Sequence, residues 1–93
     1  MALELKARAG KRLAAVDLPE HQWAALRAVQ RLGGLALVLV ILDDGAWVAR
    51  VECLDADAAE RGAKSWAVAD LDRCGVRLRG LDWMAAFGAA GGE

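Results

Sequence analysis

Gly33-Gly34-Leu35-Ala36-Leu37-Val38-Leu39-Val40-Ile41-Leu42-Asp43-Asp44-Gly45 is the stretch from which the fold can be read. The run from Leu35 to Leu42 is apolar throughout, the pattern of a strand covered on both faces. A short buried helix is the rival reading of such a run. The flanking Gly-Gly and Asp-Asp-Gly decide for a strand, because the second is a strong hairpin signal.

Immediately upstream the period changes. Pro19 suits a first helical position, where its missing N–H costs nothing, and Glu20 follows where the helix dipole favours an anion. The helix is expected from about Pro19 to Leu32, with Gly33-Gly34 as its stop. At 100° per residue Trp23, Ala25, Leu26, Val29 and Leu32 form an apolar arc, with Glu20, Arg27 and Arg31 opposite. Gln22 falls inside that arc, and a polar amide aimed inward needs partners. It either reaches over the sheet edge toward a site or is satisfied by loop backbone.

Further upstream, Ala2-Leu3-Glu4-Leu5-Lys6-Ala7-Arg8 alternates as a strand does, with Leu3, Leu5 and Ala7 on one face and Glu4 and Lys6 on the other. Strand, long helix, Gly-Gly and a second strand read as a β-α-β crossover with parallel strands. Between them, Ala9-Gly10-Lys11-Arg12 is a basic turn, and Leu13 to Leu18 is an ambiguous extended lead-in.

Downstream, Ala46 to Cys53 alternates and is expected as an antiparallel strand near the sheet edge. Trp47, Ala49, Val51 and Cys53 would lie on one side, and Val48, Arg50 and Glu52 on the other. A brief helix capped by Asp55 or Asp57 should run through Glu60-Arg61 to Gly62. Lys64-Ser65-Trp66 opens the next segment, followed by a helix Val68–Cys74 and a short strand Val76–Arg79. Asp82 can cap a last turn, Trp83 to Phe87. The whole is an α/β chain with a mixed sheet, one long crossover helix and short C-terminal helices. A single domain over 1–87 and a small-residue tail over 88–93 are expected, with no internal repeat or linker.

Composition narrows the function classes. The 93 residues are 57% hydrophobic and 27% charged, with net charge −1, so a generally basic nucleic-acid coat is excluded. The distribution is uneven: residues 1–31 carry a net +3, and the remainder a net −4. Any phosphate-facing surface therefore belongs near the N-terminal end, although a solvated basic turn accounts for the same charges. The four Trp are expected to serve as packing residues. Cys53 and Cys74 offer no C-x-x-C, and His21 is the only histidine, which excludes a structural zinc site. The two thiols are expected buried and unbridged, in an intracellular, cytoplasmic protein with no signal or membrane segment.

The chemistry-bearing pair is Glu4 and Lys6, whose Cα atoms lie about 6.5–7 Å apart on one strand face. A carboxylate there can hold a divalent cation, and the ammonium can orient a water or steady charge on a phosphate. A solvated ion pair is the plain competitor. Asp43 and Asp44 also form a carboxylate pair, which a β-turn explains better.

Glu4-Leu5-Lys6, His21-Gln22, the Gly33-Gly34 pair with its strand, Lys64-Ser65-Trp66 and Leu81-Asp82-Trp83 occur in an order that spans roughly residues 3 to 84. In that order the chain resembles the second half of a PD-(D/E)XK nuclease core. It is most similar to the RecU-type Holliday-junction resolvases, with the VRR-NUC nucleases second. The resemblance implies a partial restriction-endonuclease-like core and Mg²⁺- or Mn²⁺-dependent cleavage of DNA, with branched DNA as substrate and a homodimer as the acting unit, in recombination or repair of bacterial or phage DNA. It implies catalytic roles for Glu4, Lys6 and Gln22, and metal ligation by Glu4 with the backbone carbonyl of Leu5. It also implies DNA contacts from Arg8, Lys11, Arg12 and His21. In the family a further metal-binding aspartate sits on the preceding strand, for which Glu4 lies too close to Met1. Three expectations follow: a piece of a longer nuclease, a site completed by a second copy, or a degenerate relative that binds without cleaving. A non-catalytic α/β interaction module is the rival from another class.

Overall fold

The structure, a computed structural model, describes residues 1–78. The expected turn Trp83–Phe87 and the tail 88–93 lie outside the described residues. The fold is α/β. Strand β1 (Ala2–Ala7) leads through a short strand β2 (Arg12–Ala14) and a 3-10 turn (Ala15–Asp17) into helix α1 (Glu20–Arg31). Strands β3 (Ala36–Leu42) and β4 (Gly45–Arg50) form the hairpin, followed by α2 (Val51–Arg61), β5 (Ser65–Ala67), α3 (Val68–Cys74) and β6 (Gly75–Leu78). A four-stranded mixed sheet runs β1-β3-β4-β6, and β2 with β5 makes a separate two-stranded ribbon.

The parallel crossover stands as read. Glu4 is opposite Val38 and Lys6 opposite Val40, in parallel register. Gly33, at φ 84°, takes the left-handed conformation that ends α1, and its N–H donates to the Gln30 carbonyl at 3.0 Å. Gly45 makes the hairpin turn at φ 150°. The next strand differs from expectation. It stops at Arg50, and Val51 to Cys53 form the first turn of α2, a helix longer than the one expected. Alternation of Val51 and Cys53 suits a strand, but the run from Val51 to Leu54 also places Val51 and Leu54 on one helical face, and both are buried. As expected, β4 is antiparallel to β3 and near the edge: it lies one strand in, with β6 pairing along it antiparallel.

The core lies on one side of the sheet. Val38, Val40 and Leu42 of β3 and Trp47 and Ala49 of β4 pack with Leu13, Leu18, Trp23, Leu26, Val51, Leu54, Trp66 and Leu71 from the helices and the ribbon. Trp23, Trp47 and Trp66 are all buried, as packing residues should be, while Trp83 lies outside the described residues. Their indole N–H groups are satisfied: Trp23 donates to the Ala15 carbonyl (2.7 Å), Trp47 to Asp72 (2.7 Å) and Trp66 to the Leu54 carbonyl (3.0 Å).

Two expectations are corrected here. Cys53 and Cys74 are not separate thiols but a disulfide joining α2 to α3, with Cα atoms 5.3 Å apart. Spacing alone could not show this, because the two helices meet only after the chain has turned at Gly62. And β3 is covered less completely on the face away from the helices, where Leu39 is buried (4% exposed) but its neighbours are not. Leu37 and Ile41 are half-buried on the side away from the helices, where Leu3 (41% exposed), Leu5 (61%) and Val76 (67%) also lie. Among the described residues, no helix is long and apolar enough to cross a membrane.

Candidate active site on the first strand

Strand β1 is an edge strand of the four-stranded sheet, among the described residues. Its ladder begins with the Ala2 N–H donating to the Leu35 carbonyl (2.8 Å) and ends with the Arg8 N–H donating to the Ile41 carbonyl (2.9 Å). In a strand, the N–H and C=O of one residue point to the same side, and successive residues alternate. The even-numbered residues 2, 4, 6 and 8 therefore bond to β3. Leu3, Leu5 and Ala7 direct their backbone groups to the edge that β3 does not fill. The Leu5 carbonyl, the expected ligand, is one of these.

Side chains follow the opposite logic, set by the pleat. Ala2 packs against the core, so Glu4 and Lys6, which share its parity, lie on the helix-covered face beside Val38 and Val40. Both are half-buried rather than solvated. Helix α1 packs over this side of β1 and β3, and Gln22, in its first turn, is half-buried too. Neither Glu4 nor Lys6 forms an ion pair with another described residue, including each other. The solvated-pair competitor is thus not what these side chains make.

The donors at this edge are all oxygens, one carboxylate and one carbonyl. That set fits a hard divalent cation such as Mg²⁺, which keeps several waters and takes few protein ligands. It is a sparse set: among the described residues, no three His, Cys, Asp or Glu side chains converge to hold a metal. Asp43 and Asp44 sit exposed in the hairpin turn, as the turn reading requires, and the Asp43 N–H donates to the Gly10 carbonyl (3.0 Å).

The expected DNA contacts divide. Lys11 is exposed at the tip of the turn that begins at Gly10, and His21 is exposed at the start of α1. Arg8 is occupied: its guanidinium pairs with Asp17, whose side chain is 4% exposed and also accepts the Ala14 N–H at 2.8 Å. Arg8 therefore clamps the loop that carries the basic turn. Arg12 donates to Ser65 Oγ at 3.0 and 3.3 Å, tying that turn to the ribbon. Sequence reading missed both partners because Asp17 and Ser65 are distant in the chain and lie in segments without periodicity.

A second polar cluster also escaped notice. Asp57 accepts from Arg61 (2.8 Å) and Arg73 (2.9 Å), and Arg73 also binds Asp70, which accepts the Ala67 N–H at 2.9 Å. Asp55 grips Arg27 with two hydrogen bonds of 2.9 and 3.0 Å. Asp55 and Asp57 are thus side chains within α2 and not its caps. The Arg61 and Arg73 guanidiniums hold the Asp57 carboxyl below its ordinary range. Burial pushes Asp70 up, but the Ala67 N–H and Arg73 outweigh it and leave its carboxyl lowered. The Arg27–Asp55 pair ties α1 to α2, and the Asp57, Arg61, Asp70 and Arg73 network braces α2 against α3.

Compared with known protein families and with characterised proteins, the sequence matches no family model and no curated relative.

Proposed function

We propose that this chain is a metal-dependent DNA endonuclease, or the nuclease-like part of one, acting on branched DNA in recombination or repair. The observation that carries the reading is the arrangement at β1. Glu4 and Lys6 are half-buried on one face, unpaired among the described residues, and the residue between them turns its carbonyl to an edge that no described strand fills. Bound between Glu4 and the Leu5 carbonyl, Mg²⁺ or Mn²⁺ would polarise a phosphate and lower the pKa of a water. Lys6 orients that water and offsets negative charge as it develops on the phosphate. Gln22 holds a neighbouring phosphate oxygen or water from above the sheet. Lys11, Arg12 and His21 follow the DNA backbone with no regard to sequence, and Arg8 keeps the basic turn in place.

The acting unit is a homodimer in this reading. The backbone groups of Leu3, Leu5 and Ala7, which no described strand pairs, offer an edge for a second chain, and a partner strand there would bring further ligands beside Glu4.

The test is cleavage of four-way, flapped and linear DNA in Mg²⁺ or Mn²⁺ by the parent protein, Glu4→Ala and Lys6→Ala. Cleavage by the parent that is lost in both variants is the expected result. Binding without cleavage identifies a degenerate relative, and neither binding nor cleavage leaves an interaction module.

A further inference from the structure

Between α1, α2 and the two-stranded ribbon lies a groove of about 470 Å³, within the size range of small-molecule sites. Trp23 and Trp66 form its floor, with ring centroids 5.8 Å apart and planes tilted by 47°. Both indole N–H groups are already bonded, to the Ala15 and Leu54 carbonyls, so the floor offers carbon rather than donors. Val16 stands beside it on the 3-10 turn, 87% exposed. A ring seated in the groove would take the apolar surface of the valine and of the floor out of water.

The polar side chains that line the groove decide what kind of ring it takes. Arg27 commits Nε and Nη2 to Asp55, at 3.0 and 2.9 Å, and its Cζ lies 5.5 Å from the Trp23 ring centroid. The guanidinium is thereby fixed, and its Nη1 makes no hydrogen bond among the described residues. Glu20 lies 3.6 Å from that Nη1, too far for a hydrogen bond, and its carboxylate has no nearer cation among the described residues. Arg27 and Glu20 thus set a donor beside an acceptor. That pair matches the edge of guanine, whose O6 accepts while N1–H and the adjacent amino group donate. Adenine presents an acceptor where guanine presents N1–H, and would set it against the carboxylate. On the ribbon side, Lys64 is exposed and forms no ion pair with a described residue. Its ammonium is a point charge of the kind that holds a phosphate.

We propose that this groove binds a single guanine nucleotide, with the base against Trp23 and Trp66, its edge on Arg27 and Glu20, and its phosphate at Lys64. Two sources share this chemistry, a free mononucleotide and an unpaired guanine in a DNA strand. In a strand, the next phosphate would meet Arg12, which is anchored on Ser65 beside Lys64. The proposal goes beyond cleavage at β1 and does not require it.

Titration of the ¹⁵N-labelled full chain with deoxyguanosine monophosphate, followed by NMR, tests this. The indole signals of Trp23 and Trp66 and the Lys64 amide should move, and deoxyadenosine monophosphate at the same concentration should move them far less. Lys64→Ala, a truncation at an exposed position, should weaken binding of the guanine nucleotide about tenfold, the worth of one charge-assisted contact, and leave binding of unphosphorylated deoxyguanosine unchanged. A DNA duplex with one unpaired guanine, beside its fully paired counterpart, separates the two sources. Tighter binding of the bulged duplex than of the mononucleotide assigns the groove to DNA, and the reverse assigns it to a free nucleotide. Nucleotide binding without any DNA cleavage supports the groove and counts only against the reading of β1. Indole signals that do not move, equal shifts with the adenine nucleotide, or unaltered binding in Lys64→Ala would each overturn the proposal.

Discussion

A carboxylate and an ammonium that share a strand face without pairing, among the described residues, have given up part of their hydration for no gain visible there. At Glu4 and Lys6 that arrangement makes sense if the groups act on something from outside. Their replacement should then separate function from stability. Glu4→Gln and Lys6→Met should lower DNA cleavage by about 100-fold or more, while the urea midpoint reports a stability change of no more than about 0.5–1 kcal/mol. A large loss of stability in either variant would mark the pair as structural. Asp17 should behave in the opposite way. Its nearly buried carboxylate serves both Arg8 and the Ala14 N–H. Removing it leaves a backbone donor and a guanidinium unpaired, so Asp17→Ala should cost about 1–3 kcal/mol in equilibrium unfolding. Arg8→Ala, at a half-exposed cation, should cost less. That ordering was not legible in the sequence, where Arg8 reads as a free cation beside a basic turn. The direction of the Leu5 carbonyl was legible in principle, because strand parity fixes it once the partner strand is known.

At the level of elements, the sequence spoke clearly wherever one period or one stop signal dominated. The strand at Ala36–Leu42, its hairpin turn, the helix before Gly33 and the helix Val68–Cys74 all follow from such signals. It spoke ambiguously at Val51–Leu54, where strand and helix patterns coincide and the contacts of α2 with α1 and α3 decide. Its aspartates had no unique role until α2 was seen to be long, placing Asp57 one turn before Arg61 and within reach of Arg73. That network carries a pH prediction. The Asp57 and Asp70 carboxyls are both lowered in the folded chain, so the unfolded chain takes up their protons first. Their contribution is complete above the ordinary carboxylate value of about 4 and is lost as pH falls through the folded values. Urea midpoints should therefore decline below about pH 4, and the decline should be shallower in an Asp57→Asn, Asp70→Asn variant; an equally steep decline there would contradict the assignment. The same two helices are joined by the Cys53–Cys74 disulfide across a separation of 21 residues. Reduction should lower unfolding free energy by roughly 3 kcal/mol, the chain-entropy value for a loop of that order. Equal midpoints with and without reductant would contradict that.

For the molecule as a whole, the overall charge of −1 conceals a basic N-terminal third. With Lys11, Arg12 and His21 as the phosphate contacts, DNA affinity should fall with salt at a logarithmic slope of about −2 to −3, the value for two or three released counterions. Lys11→Ala should reduce that slope by about one and leave sequence preference unchanged; a slope near zero would remove DNA from the account. The proposed cation site on β1 is the point to probe. The most direct measurement is line broadening of backbone amide resonances on titration with Mn²⁺, whose unpaired electrons act only at short range. The account predicts broadening centred on Glu4, Leu5 and Lys6 that spreads to Gln22 and disappears in Glu4→Gln. Broadening centred on Asp43 and Asp44, or on Asp57 and Asp70, or none at all, would contradict it.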